Sequence, residues 1–115
     1  GLVRSDMGAY GGKYSPTIGI NLLHSDVPER FSLKQNYPNP FNPLTKIKFD
    51  IPNPAFISLK VYDIEGREIS VLAGETVLPG VYEVTFDGSG LSSGVYFYRL
   101  SSKYFNETKR MILLK

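Results

Sequence analysis

From Lys46 onward, apolar residues recur at every second position, the spacing of strands buried on one face. In LTKIKFDI, Ile47, Phe49 and Ile51 fall on one side and Lys46, Lys48 and Asp50 on the other. FISLKVYD repeats the pattern with Ile57, Leu59 and Val61, and Tyr62 begins the exit into a turn at Glu65 and Gly66. A short strand is predicted over residues 68–72. Pro79 and Gly80 mark the next turn, after which VYEVTFD sets Tyr82, Val84 and Phe86 on one face. The Gly/Ser loop DGSGLSSG leads into GVYFYRLSS, where Tyr96, Tyr98 and Leu100 alternate with Val95, Phe97 and Arg99. In TKRMILLK, Met111 and Leu113 oppose Arg110, Ile112 and Leu114. Both faces of that strand are mixed, so the pattern leaves open which one packs inward. A weak strand over residues 31–34 brings the expected number to seven. Short strands separated by turn signals, with no window of helical spacing, predict an all-β fold: a seven-stranded antiparallel immunoglobulin-like β-sandwich.

The first 30 residues read differently. Glycines at 1, 8, 11, 12 and 19, weak periodicity and cancelling charges predict a linker or the tail of a preceding domain, so the expected division is 1–30 and 31–115. Six of the eight prolines then lie from Pro28 to Pro54. Proline fixes its own backbone and pushes the preceding residue toward extended geometry, which excludes a helix there.

Composition narrows the function classes. Thirteen Lys and Arg against eleven Asp and Glu give a net charge of only +2, with the signs interspersed. Nucleic-acid binding needs basic residues clustered on one face, so no nucleic-acid partner is expected. The local exception is the end of the chain, where Lys103, Lys109, Arg110 and Lys115 face only Glu107. The absence of cysteine excludes disulfides, thiolate zinc sites and a Cys nucleophile. No apolar run approaches the roughly 18 residues of a membrane-spanning helix, so direct membrane insertion is not expected. Residues 1–13 carry Arg4, Asp6 and several glycines where a secretory leader has an apolar stretch of roughly 7 to 15 residues, and the expectation is a piece cut from a longer protein with its cargo upstream.

Little of the sequence looks catalytic. His24, Ser25 and Asp26 form a superficial triad, but neighbours on extended chain point to opposite sides, and the reading is a solvated turn. Asp63 and Glu65 near Gly66, or Asp87 near Gly88 and Gly90, could offer oxygens to calcium. Neither spacing is that of a calcium loop, and Asp beside Gly at a strand end is ordinary turn chemistry. Gly88, Gly90 and Gly94 precede a strand instead of opening a helix, so they form a hairpin loop and no phosphate cradle. An aromatic sugar platform would need exposed rings. Alternation places Tyr96 and Tyr98 in the core and leaves Phe97 and Tyr104 as the better candidates for exposure. No metal, cofactor or catalytic residue is expected.

Five blocks, FSLKQNYPNPFNPLTKIKF, VYDIEGREI, LPGVYEVTFDG, SGVYFYRL and the closing TKRMILLK, together resemble the C-terminal sorting domain (type A) of type IX secretion substrates in Bacteroidetes and related bacteria. The resemblance runs from about Phe31 to Lys115. Its first block maps onto Asn36, Tyr37, Pro38, Asn39, Pro40, Phe41, Asn42, Pro43 and Thr45. The central block maps onto Tyr62, Asp63, Gly66 and Arg67. The later blocks map onto Gly80, Asp87 and Gly88, then Gly94, Val95, Tyr96, Tyr98 and Leu100, and finally Arg110, Met111, Leu113 and Lys115. Phe86 stands where the family often has Trp, and Arg110 where Lys is commoner.

The resemblance implies a non-catalytic export address. A precursor reaches the periplasm, the domain engages the outer-membrane type IX machinery, and a sortase-like peptidase removes it. The cargo is then secreted or attached to a lipopolysaccharide at the cell surface. Cleavage is expected in the linker between about Ile20 and Phe31. RSDMGAYGG resembles the closing segment of secreted right-handed parallel β-helix proteins, which would make the cargo a β-helix. The alternative is an adhesion or carbohydrate-binding sandwich retained on the mature protein. The immunoglobulin-like domain of flagellar hook-capping proteins also resembles the YDxxGR and GVYFYRL blocks. The proline-rich block and a chain expected to end freely on Lys115 favour sorting.

Overall fold

The computed structural model describes residues 20–24 and 26–115. Residues 4–12, compared above with a β-helix terminus, and Ser25 lie outside them. Eight strands follow in order: β1 (Asn21–His24), β2 (Ser32–Leu33), β3 (Leu44–Ile51), β4 (Ala55–Tyr62), β5 (Glu68–Val77), β6 (Gly80–Asp87), β7 (Gly94–Ser101) and β8 (Asn106–Leu113). They form two four-stranded antiparallel sheets, ordered β1-β6-β3-β2 and β5-β4-β7-β8. No helix occurs among the described residues.

The period-2 residues become the core because each strand turns its apolar side inward. Ile47, Phe49 and Ile51 of β3 and Tyr82, Val84 and Phe86 of β6 join Ile57, Leu59 and Val61 of β4 and Tyr96, Tyr98 and Leu100 of β7 in one buried cluster. The strand whose inner face the sequence left open turns Met111 and Leu113 inward, while Arg110 and Leu114 stay exposed. Stacking of Phe49 on Tyr82, with ring centroids 5.6 Å apart, ties directly opposed residues of β3 and β6.

Three expectations need correction. There are eight strands, not seven, because residues 21–24, assigned to the linker, form β1 at the edge of β6. His24 is accordingly an exposed strand residue and not part of a solvated turn. The strand expected over residues 68–72 runs to Val77, with register shifts against β4 between Leu59 and Lys60 and between Val61 and Tyr62. Those irregularities break the period that sequence reading depends on.

Register fixes what lies at each end. Leu44 opposes Asp87, Gly94 opposes Leu113, and Tyr62 opposes Phe97, which in turn opposes Arg110. The proline-rich segment, the Gly/Ser loop, the last residues of the chain and the turn after Tyr62 therefore gather at one end. At the other end Ile51 meets Gly80, Ala55 meets Val77 and Ser101 meets Asn106.

Candidate functional site

The proline-rich segment is bound to the end of the chain by backbone pairing. The Phe41 N–H donates to the Ile112 carbonyl at 2.9 Å, and the Leu114 N–H donates to the Phe41 carbonyl at 3.0 Å. Asn39 adds a side-chain contact, its Oδ1 accepting from the Ile112 N–H at 3.0 Å. Gln35 reaches the same strand, with Nε2 donating to the Arg110 carbonyl at 2.7 Å. Phe41 itself is buried and meets Phe86 edge-on at 6.0 Å between centroids. Tyr37–Pro38, Asn39–Pro40 and Asn42–Pro43 are all cis peptide bonds.

A buried polar network holds this segment from below. Asn36, only 2% exposed, donates from Nδ2 to the Pro38 carbonyl at 3.1 Å and to Thr45 Oγ1 at 2.9 Å. The Thr45 hydroxyl passes its own proton to the Pro38 carbonyl at 2.9 Å. The Asn36 N–H donates to the Tyr98 hydroxyl, which donates to the Lys34 carbonyl, both at 2.7 Å. Burial pushes the Tyr98 hydroxyl pKa up to about 12. Every polar group named here is paired, which is the condition for such a network to order a segment and not loosen it.

The Gly/Ser loop closes the third side. The Gly88 N–H donates to the Pro43 carbonyl at 2.8 Å, and a Cβ at Gly88 would sit 3.2 Å from both Phe41 and Leu113 side chains. Lys115 is tied to this loop twice: its N–H donates to Ser93 Oγ at 2.9 Å and its Nζ to the Ser89 carbonyl at 2.6 Å. The Asp87 carboxylate accepts from the Ser89 N–H at 2.9 Å, and the Tyr96 hydroxyl donates to the Ser92 carbonyl at 2.7 Å.

The turn between β4 and β5 is a separate, self-contained unit. Asp63 Oδ1 accepts from the N–H groups of Glu65 and Arg67 at 2.9 and 3.0 Å, and Oδ2 accepts from Arg67 Nε at 2.8 Å. These bonds, that of the Arg67 N–H foremost, hold the Asp63 carboxyl below its usual range. Gly66, with φ of 87°, supplies the left-handed residue that the turn needs. Both candidate calcium aspartates, Asp63 and Asp87, thus spend oxygens on turn N–H groups. Tyr62, one strand over from Phe97, accepts from Arg99 Nη2 at 2.8 Å with that guanidinium 5.0 Å above its ring.

Of the residues singled out in sequence, Pro38, Asn39, Pro40, Phe41, Asn42 and Pro43 are brought together with Arg110, Met111, Leu113 and Lys115. Gly94 and Tyr96 open the neighbouring strand. Tyr62, Asp63, Gly66 and Arg67 join them only through the row Tyr62, Phe97, Arg110 across the sheet. Sequence reasoning missed Gln35, Ser89 and Ser93, whose roles depend on partners 22 to 75 residues away.

At the opposite end an open cleft of about 720 Å³ is lined by Phe31, Pro54, Phe56, Ser58, Ser101 and Tyr104. Tyr104, in the turn between β7 and β8, is 82% exposed as expected, whereas Phe97, the other candidate for exposure, is half-buried.

No curated protein matches the chain. The family model described as the secretion system C-terminal sorting domain matches residues 35–114, a span that takes in the proline-rich segment, the Asp63 turn and β8. The chain belongs to this family of type IX secretion C-terminal sorting domains, and it is the sorting signal that involves a secreted or cell-surface protein with the type IX machinery.

Proposed function

We propose that the chain acts as a removable export address built on an immunoglobulin-like sandwich spanning residues 31–115, with no catalytic role of its own. In transit through the periplasm, the outer-membrane machinery reads the surface where the proline-rich segment meets the last strand, and a sortase-like peptidase then detaches the upstream cargo. The observation that carries this reading is the backbone pairing of Phe41 with Ile112 and Leu114. It turns two sequence blocks about 70 residues apart into one surface that presents Pro38, Asn39, Pro40, Asn42, Arg110 and Lys115.

The test separates recognition from folding. Charge complementarity governs encounter with a partner, whereas exposed charges seldom change stability by more than about 0.5 kcal/mol. Lys115 also donates to the Ser89 carbonyl in an exposed bond, which adds only modestly to that figure. Arg110→Glu with Lys115→Glu should leave thermal unfolding close to wild type yet block export of a reporter fused upstream, which accumulates uncleaved. Normal surface delivery of the double variant would refute recognition through these charges.

A second reading is favoured by the cleft that exposes Phe56 and Tyr104: a carbohydrate-binding or adhesive module kept on the mature protein. Mass spectrometry of the protein at the native cell surface decides between them. Residues 31–115 are absent there if the domain is an address and present if it is a retained module.

A further inference from the structure

The segments on either side of residue 25 are held in different ways. In β1, Asn21, Leu22 and His24 pair with Glu83, Tyr82 and Val81 of β6, although all four side chains of the strand are exposed. Backbone pairing holds it, with Ile20 just before it partly buried against the core. β6 is shaped to receive it: a Cβ on Gly80 would lie 2.7 Å from Leu22 Cδ1 and 2.8 Å from the His24 carbonyl oxygen. Past β1 the pairing stops. Asp26, Val27, Glu29 and Arg30 are exposed and belong to no strand. Contacts with the sheets resume at Phe31, stacked on Phe105 with centroids 5.3 Å apart, and at Ser32, which pairs with Asp50.

A peptidase needs several residues of unpaired chain in its cleft. Bonds within β1 must first be peeled from β6, and bonds beyond Phe31 must be pulled out of the sheet. We infer that the bond hydrolysed to release the cargo lies between Asp26 and Phe31, so that β1 departs as the last strand of the cargo. This deepens the removal step proposed above and rests on it. One water supplies the hydroxyl that joins the carbonyl carbon and the proton that joins the freed amine. After that step, among the described residues, the β1–β6 pairing and Ile20, partly buried against the core, join the two pieces, while the four β1 side chains are exposed.

Two measurements test the inference. Brief digestion of the full chain with a trace of subtilisin, mapped by mass spectrometry, should place the first cuts within residues 20–33 between Asp26 and Phe31. Gly80→Ala, which crowds β1 off its edge, should bring equally early cuts into Asn21–His24. Early wild-type cuts spread through Asn21–His24 would overturn the shielding, and the wild-type map alone decides this if Gly80→Ala does not fold. In secreting cells, the mature cargo should end at one of residues 26–30. A cargo ending before residue 26 refutes the inferred site while leaving the removal reading intact. A surface protein still carrying residues 31–115 refutes removal itself, and it does so even where the digestion map is as expected.

Discussion

Tyr98→Phe isolates the polar anchor of the proline-rich segment from its apolar packing. The ring is fully buried, and the substitution retains it while deleting the hydroxyl that joins the Lys34 carbonyl to the Asn36 N–H. The two groups left behind are not equivalent. Asn36 is buried, so its N–H loses a partner that water cannot replace, a cost of about 1 to 3 kcal/mol. The Lys34 carbonyl, whose bond to Tyr98 is only part-buried, loses the net value of one hydrogen bond, about 1 kcal/mol. The sum is about 2 to 4 kcal/mol. Domains are commonly stable by about 5 to 15 kcal/mol, and one without disulfide or metal belongs near the lower figure.

With a urea slope of about 2 kcal/mol per molar, the middle of the range for small domains, the unfolding midpoint should fall by about 1 to 2 M at unchanged slope. Amide exchange should show the first loosening at Asn36 and Tyr37, before β3 or β7 responds. A midpoint within about 0.3 M of wild type would mean that the hydroxyl anchors nothing, and the account of how the proline-rich segment is ordered would be refuted.

Two further outcomes follow from the same region. Because burial raises the Tyr98 pKa to about 12, against about 10 in the unfolded chain, the folded state keeps a proton that the unfolded state gives up. The Tyr98 contribution to stability should be level below about pH 10 and fall as pH rises from there toward 12, in urea titrations at stepped pH, and Tyr98→Phe should lack that part of the fall. Gly88→Ala adds a Cβ 3.2 Å from Phe41 and Leu113, and should lower stability by about 1 kcal/mol through overpacking; a variant as stable as wild type would show that those side chains yield freely.

Legibility followed burial. β3, β4, β6, β7 and β8 were readable because each buries alternate side chains, which leaves a period of two in the sequence between turn signals. β5 was read only in part. Its inward residues beyond the bulge are Ala73 and Val77, with Glu75 opposite the inward Ile57, so its second half carries almost no apolar signal. β1 left none, since backbone pairing with β6 holds four exposed side chains. The proline-rich segment could be read as extended and turning, and the family resemblance drew attention to it. Its seat against β8 could not be read, because that seat is made by the Phe41 backbone, Asn39 and Gln35. Such groups carry no periodicity. In the last strand, pattern left two faces open, and the choice fell to Met111 and Leu113: both are buried in the core, and Leu113 fills the space beside Phe41 and Gly88.

The blocks that identify the family mix two kinds of residue, and the structure sorts them. Asn36, Phe41, Thr45, Met111 and Leu113 are buried, so no partner can touch them in the folded domain. On the proposed reading, their substitution would act on export through loss of the junction between the proline-rich segment and β8. Tyr37, Pro38, Asn39, Pro40, Asn42, Arg110, Leu114 and Lys115 are exposed around that junction, and only these can meet a partner directly. A partner reading them would require both strands of chain to be seated, because the proline-rich segment lies against the last strand only while Ile112 stays bonded to Phe41 and Asn39. On the proposed reading, the machinery would then reject an unfolded or half-folded domain without any separate inspection, since the surface it recognises does not exist until the sheets have closed.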